Sequence, residues 1–421
     1  MIWTIPFIAA CWLLVSSVVP AWAGGMGQCR FCHSPTMTLS GMHRHLACRD
    51  CHQNGIQVLA NPADRNTGSV GCVRCHRGYE RMYEHAMGTR GKERAFIART
   101  YGTRDRRFDQ KNCASCHLQG CQDCHGKGHA ISRPAQDSCS RCHKGYFVGW
   151  EYFGRAPREE HDRYQRGQRI QGETFIKMLP DVHHQRGMTC GACHTMQSLV
   201  AGKVSAKDCT DCHTPSKNVI EHRIAAHLNK LECSACHAAW APQEYGTFYL
   251  RFSGDIIPAP FDQLNFAGPG YVKSVYLKRQ DLPPLGINSR GKVSPIRPQF
   301  IAYYSKIANG RAVGAENQLL AAEWRAFTPH TIQRGTVMCD GCHDNPRRFL
   351  LEQPKDRIYD LQRDGLGLYS FWNQAGQKMV NGQFMDQARY RKISTKTDTY
   401  KRLYVEKWKK FTKPAERSSQ R

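Results

Sequence analysis

The chain has 421 residues, 60 Lys and Arg against 35 Asp and Glu, a formal charge of +25, and 21 cysteines. At roughly 100–200 residues per domain this is more than one structural unit, and its apolar content is that of a folded chain, not a disordered one. A single long apolar run, at the extreme N-terminus, argues against an integral membrane protein, and the positive balance first points to nucleic acid or an anionic membrane.

That run is MIWTIPFIAACWLLVSSVVPAWA, residues 1–23. It has an apolar centre, a break at Pro20 and the small-x-small sequence Ala21-Trp22-Ala23. This is the pattern of an export signal cleaved after Ala23, although no Lys or Arg stands near Met1. A membrane anchor is the rival reading. Ile8-Ala9-Ala10-Cys11 loosely mimics a lipoprotein box, but too few residues precede it for the apolar core. The expectation is a periplasmic chain, free, attached to a membrane complex, or passed on outside the cell.

All twenty cysteines after the signal lie in Cys-x-x-Cys-His. In chain order the motifs are Cys29/Cys32/His33, Cys48/Cys51/His52, Cys72/Cys75/His76, Cys113/Cys116/His117, Cys121/Cys124/His125, Cys139/Cys142/His143, Cys190/Cys193/His194, Cys209/Cys212/His213, Cys233/Cys236/His237 and Cys339/Cys342/His343. Composition alone leads to about 0.05 such motifs by chance. The spacing suits covalent haem attachment: two thiols add across the two vinyl groups of one haem, and the following His becomes the proximal iron ligand. Zinc ribbons need no His after each Cys pair. A disulfide framework would not repeat one spacing ten times. The expected cofactors are therefore ten covalently attached haem c groups, with no thiol left for a structural disulfide.

Ten further histidines remain: His43, His45, His85, His129, His161, His183, His184, His222, His227 and His330. They equal in number the open sixth positions, so an all bis-histidine cytochrome is expected, with Met ligation unnecessary. The neighbours His43 and His45, and His183 and His184, leave open whether both members of each pair serve. His184, His227 and His330 each stand shortly before a motif and are expected to cap a neighbouring haem instead of the one downstream.

The domain reading follows the grouping: signal peptide 1–23, a trihaem module at 24–110, a second with a helical linker at 111–189, a third at 190–237, a haem-free insert at 238–338, and the last haem with a basic tail at 339–421. Residues 29–76 and 190–237 share motif spacings of 19 and 24 and align without a gap, which suggests duplication. The fold class expected is a multihaem cytochrome c, mainly short α-helices and irregular loops around stacked haems, with a small β-containing insert. Each haem supplies apolar surface that a polypeptide core would otherwise provide. Helix is expected near 78–100, 156–186, 219–231 and 315–326. In the insert, the alternation from Tyr271 reads as a strand pairing with Val293–Tyr304 across a turn at Asn288–Gly291. Residues 391–421 carry eleven Lys and Arg against three acidic residues. Tyr404, Trp408 and Phe411 recur at helical spacing, so 400–411 is expected to be an amphipathic helix. It either docks on anionic lipid or an acidic redox partner, or packs on the body with a solvated basic face.

The stretches GRAPREEHDRYQRG (154–167), LPDVHHQRGMTCGACH (179–194), EHRIAAHLNKLECSACH (221–237) and PHTIQRGTVMCDGCH (329–343) add a resemblance. With the ten motifs, they resemble periplasmic multihaem cytochromes of metal-, selenite- and tellurite-respiring bacteria and, more distantly, octahaem tetrathionate reductase-like proteins. The closer likeness covers roughly residues 110–345. It implies electron transfer during anaerobic respiration, between a quinol-oxidising membrane complex and other multihaem cytochromes or terminal reductases. The octahaem enzymes use a lysine as one sixth ligand, whereas this chain has two more motifs and enough His to cap all ten. A terminal oxyanion reductase, acting on selenite, tellurite, tetrathionate or nitrite at one open haem, is the competing function. A filament in which a spare His caps a haem of the next subunit is a third.

No catalytic residue is nominated: Asp137, Asp181 and Asp211 stand near motifs, but no spacing makes them acid/base catalysts. No phosphate-binding loop, nucleophile elbow or zinc-protease motif is present, and no nucleic-acid partner is expected. Ten haems would bring about twenty propionates, leaving a holoprotein of about +5 when ferrous and about +15 when ferric. Much of the basic excess is then an internal counter-charge to buried carboxylates. The basic tail remains the candidate for a peripheral membrane or partner contact.

Overall fold

A computed structural model describes residues 41–51, 72–112, 120–126, 129–140, 143, 151–153, 165–170, 173–177, 180–201, 206–242, 247–253, 271–273, 280–309, 311–315, 318–335, 337–353, 355 and 377–412. The signal-like run, Cys29, Cys32, His33, His52, Cys113, Cys116, His117, Cys142 and His161 lie outside the described residues, as does the side chain of Cys48. Backbone proximity divides the chain into two units, Met1–Glu80 with Gln119–Ala135, and Arg81–Leu118 with Gln136–Arg421.

The described part of the first unit is built of single turns. Cys48–Cys51, Cys72–Cys75 and Gln122–His125 are one-turn helices, and Gly41–His43 is a 3-10 turn. Gly126 follows the His125 motif at φ +106, and a Cβ there would collide with the Ala130 carbonyl. Only glycine lets the chain fold back so that the Ser132 amide reaches the His125 carbonyl at 2.7 Å.

The second unit is organised by an eight-stranded sheet. Its labelled strands are β1 (Thr247–Ser253), β2 (Tyr271–Lys273), β3 (Leu285–Asn288), β4 (Val293–Ala308), β5 (Gln318–Ala326), β6 (Gln377–Met379) and β7 (Gly382–Phe384). The main order is β6-β5-β4-β1-β2; β3 and the short strand Arg311–Ala312 also pair with β4, and β7 pairs with β3. The hairpin expected at Asn288–Gly291 forms, but between β3 and β4, with Ile287 opposite Val293. Asn288 Oδ1 accepts from the amides of Arg290 and Lys292, and Gly291 takes a left-handed φ of +76. The strand beginning at Tyr271 pairs instead with β1, which itself lies parallel to β4. Pro298 of β4 sits at a register shift opposite Trp324, the kind of irregularity that accommodates a residue without an amide hydrogen.

Two helix expectations fail. Residues 318–326 form the strand β5, not a helix. Lying between β4 and β6, β5 buries Ala322, Glu323 and Trp324 in succession, so its sequence lacks the alternation that marks a one-faced strand. Within 156–186, the described residues are mostly an antiparallel pair, Gln165–Ile170 with Glu173–Lys177. Ile170 pairs with Glu173, and this cross-strand pairing replaces the expected helix. α1 (Gly91–Arg99) stands where a helix was expected, and α2 (Val182–Gln185) is a single turn within the 156–186 stretch. α3 (Ala225–Lys230) and α6 (Asp398–Thr412) also meet their expectations, whereas α4 (Cys233–His237) and α5 (Gln387–Ser394) form where no helix was expected.

The sheet ties the motif-bearing segments together. Near one end of β4, Ala302 packs with Phe96, Ile97, Tyr101 and Phe108. Towards the other, Leu285 and Ile287 pack with Ala235 of α4, Phe349, Met385 and Tyr390. Between them Trp324 is fully buried with Ile296, Ala326 and Leu350. Arg99 pairs with buried Glu323, which anchors α1 to the sheet.

Candidate haem-ligand centre

Each fully described motif is one turn of chain. The His amide donates to the carbonyl of the first Cys at 2.9 Å in Cys72–His76, 3.0 Å in Cys121–His125, 2.9 Å in Cys190–His194, and 2.8 Å in both Cys209–His213 and Cys339–His343. One such turn brings positions i, i+3 and i+4 to one face, so two thiols and one imidazole leave the chain on the same side. Local spacing alone dictates this arrangement, which is why the sequence displays it.

The spare histidines complete it from a distance. Five motif histidines face a spare histidine across nearly constant gaps. Ring centres are 6.0 Å apart for His76 and His43, 6.2 Å for His194 and His330, and 5.9 Å for His213 and His183. They are 6.1 Å apart for His237 and His222, and 6.0 Å for His343 and His227. With metal–nitrogen bonds of about 2.0 Å and a ring nitrogen about 1.1 Å from its ring centre, two imidazoles on opposite sides of one iron have centres about 6.2 Å apart. Direct ring packing sets no such common distance.

The protonation pattern agrees with ligation. A carbonyl oxygen only accepts, so a ring nitrogen that faces one carries the hydrogen. His125 Nδ1 donates to the Ser132 carbonyl at 3.0 Å, His237 Nδ1 to Gln333 at 3.0 Å, and His343 Nδ1 to Ile393. Among the spare histidines, His222 Nδ1 faces the Ser216 carbonyl at 3.3 Å, and His183 Nδ1 faces Asp181 Oδ1 at 3.0 Å. Each of these bonds leaves Nε2 as the lone-pair nitrogen, the form that binds a metal. Burial, reinforced by facing His194, lowers the His330 pKa to about 4. Burial and facing His343 lower that of His227. Both are neutral at pH 7.

Placement of the remaining candidates is uneven. His43, not its neighbour His45, faces a motif histidine; His45 Nε2 lies 3.3 Å from the Arg44 guanidinium. His183, not His184, faces His213. His85 Nε2 lies 2.5 Å from the Val200 carbonyl, not opposite a motif histidine among the described residues. His129 is half-buried beside the fifth motif, and His143 has its pKa lowered by desolvation and then by His194 and Arg297. His227 and His330 pass over the next motif and face His343 and His194. His222 instead faces His237 of the motif just ahead of it. Nothing in the sequence separated His222 from His227, because the choice depends on where the 3-10 turn Glu221–Arg223 places one ring and α3 the other.

The cysteines of different motifs also approach one another. The thiols of Cys72 and Cys121 are hydrogen-bonded, as are those of Cys209 and Cys233. Donation from Cys209 lowers the Cys233 pKa to about 6, whereas burial pushes Cys236 up to about 12.

The sequence reading expects haem thioethers at Cys124 and Cys193, the second thiols of the fifth and seventh motifs. The structure places both outside the two hydrogen-bonded thiol pairs. Each is a half-buried thiol that takes part in no disulfide, as is Cys139. The turn alone sets their positions: the Cys124 amide donates to the Cys121 carbonyl at 3.2 Å, and that of Cys193 to Cys190 at 3.3 Å. Among the described residues, no three His, Cys, Asp or Glu side chains converge as the ligands of a metal ion. Thioether attachment asks for no such cluster, because the sulfurs join the porphyrin edge and the iron takes two imidazoles.

Buried Arg348 donates through Nη2 to the Ala235 carbonyl at 2.9 Å, while its Nε and Nη1 have no partner among the described residues. A buried cation with free donors beside the ninth and tenth motifs fits a group that carries carboxylates. The two thiols and imidazole of each turn, the opposed imidazoles and this cation fit the donor set of a covalently held haem. No protein-family model, curated protein or solved structure matches the chain.

Proposed function

We propose that the protein is a decahaem c-type cytochrome, exported to the periplasm, that passes electrons from a quinol-oxidising membrane complex to other cytochromes or terminal reductases. The observation that carries this reading is the set of five motif–spare histidine pairs at 5.9–6.2 Å. Bound haem irons supply the one-electron chemistry by cycling between ferric and ferrous states. The chain's part is to hold each haem through two thioethers, offer imidazoles from both sides, and set potentials through burial and hydrogen bonds. Closely placed motifs favour transfer between neighbours: contacts join Cys209 to Cys233 in the second unit, where Cys236 and Cys342 also lie in each other's field. The basic helix α6, with Trp408 and Phe411 exposed, supports contact with a membrane surface or an acidic redox partner.

One observation favours the second reading, an oxyanion reductase. His85 and His45 are engaged by other groups, which takes two imidazoles from the balance of ten and leaves room for an open iron face. Pyridine haemochrome quantitation with EPR of the oxidised protein tests both. The expected result is ten haems, all low-spin, with His330→Ala turning one of them high-spin. A stoichiometric high-spin signal in the unaltered protein would favour the reductase, and a chain that binds no haem would overturn both.

A further inference from the structure

Asp181 is the N-cap of α2, and its carboxylate is buried. Oδ1 accepts from the His183 amide at 2.8 Å and from His183 Nδ1 at 3.0 Å. Oδ2 accepts from the Ile332 amide at 2.7 Å. Around these bonds the two chain segments are laced together. The Val182 amide donates to the Ile332 carbonyl at 2.9 Å, and the Gln333 side chain donates to the Pro180 carbonyl. His183 faces His213, and His330, two residues before Ile332, faces His194. One buried carboxylate therefore supports spare histidines belonging to two consecutive motifs.

We propose that Asp181 is a positioning residue that sets the potentials of the seventh and eighth haems together and keeps them low. This rests on the bis-histidine reading of those two sites. A carboxylate on Nδ1 of a ligating histidine fixes its orientation and strengthens Nε2 as a donor, which favours the ferric iron. The same negative charge lies within the field of His330, so it acts on the second site through space as well as through the Ile332 amide. Cationic Arg297 approaches His330 too and opposes this effect. The eighth haem, whose ligand is bonded to Asp181 directly, should feel the larger influence.

The test is spectropotentiometric titration of the full-length holoprotein with D181N and D181E. Asn keeps an acceptor at Oδ1 and removes the charge; Glu keeps the charge and displaces it. In D181N, haem content and low-spin character should stay as in the unaltered protein. Two of the ten reduction steps should move to more positive potential, one further than the other. D181E should return both towards the original values. Superimposable titrations for D181N would overturn the proposal, as would equal shifts in D181N and D181E, which would mark the role as packing alone. Should either variant yield no folded protein, His183→Ala supplies the second measurement. It removes the eighth pair but leaves the carboxylate beside His330, so the seventh haem must keep its low potential. A raised potential there would overturn the coupling to the carboxylate. Fewer than ten haems, or high-spin seventh and eighth haems in the unaltered protein, would instead be a failure of the bis-histidine reading beneath it.

Discussion

The sheet and the motif-bearing segments solve the problem of burial in opposite ways. In the sheet, Trp324, Ile296 and Leu285 are fully enclosed by the chain's own side chains. In the segment 190–237, His194, His213, Cys209, Cys212 and Cys233 remain exposed, although their turns are well formed. Backbone hydrogen bonds shape those turns, but few apolar residues of the chain cover them. The contrast teaches that the sheet is enclosed by its own side chains, while the haems proposed above would supply the motif segments with the apolar area they lack.

The largest expected effect comes from producing the chain without haem attachment. Amide exchange should then be fast at His194 and His213 and stay slow at Ala322 and Trp324. Equal protection in both regions would break the contrast outright. Next, Trp324→Ala should cost about 3–5 kcal/mol in denaturant unfolding, the range for deleting a buried aromatic. It should leave the low-spin haem spectrum unchanged while the protein remains folded. A loss below about 1 kcal/mol would show that the sheet is not an independent core.

The smallest effect concerns the tie between α6 and the motif region. Burial opposes ionisation of Glu221, but the hydrogen bond and charge of Lys407 prevail and lower its pKa. A carboxyl depressed in the folded state contributes stability above its unfolded pKa of about 4.3 and loses it as pH falls through the folded value. Acidification below about pH 4.3 should therefore loosen α6, read from Trp408 fluorescence. In Glu221→Gln that acid transition should be absent; an identical transition in both proteins would remove the pair from the linkage.

What could be read from the sequence was whatever a single turn decides. Cys-x-x-Cys-His closes one helical turn, and the recurring aromatics of α6 mark one helix face. Tyr400 and Tyr404 stack at 5.7 Å, and Tyr400 lies 5.1 Å from His343. Long-range choices were not legible. The Leu- and Ala-rich β5 carries helical propensity, yet pairing with β4 and β6 overrides it. Nor does local spacing say that Tyr271 joins β1 instead of β4, or that His227 reaches past its own motif while His222 stops at it.

The pairing of His194 with His330 also has a consequence for the order of synthesis. The chain emerges N-terminus first, so the imidazole at 194 is made long before its counterpart at 330 exists. His227 is in the reverse position: it is finished early and waits for His343, the last motif to be made. If each pair holds one iron, a haem attached at the seventh motif passes through a period with a vacant or borrowed sixth ligand. Maturation is then a matter of timing as well as of attachment. The short run Pro329–Gln333, which carries His330 and bonds to both Asp181 and His237, acts as the closing stitch of that region.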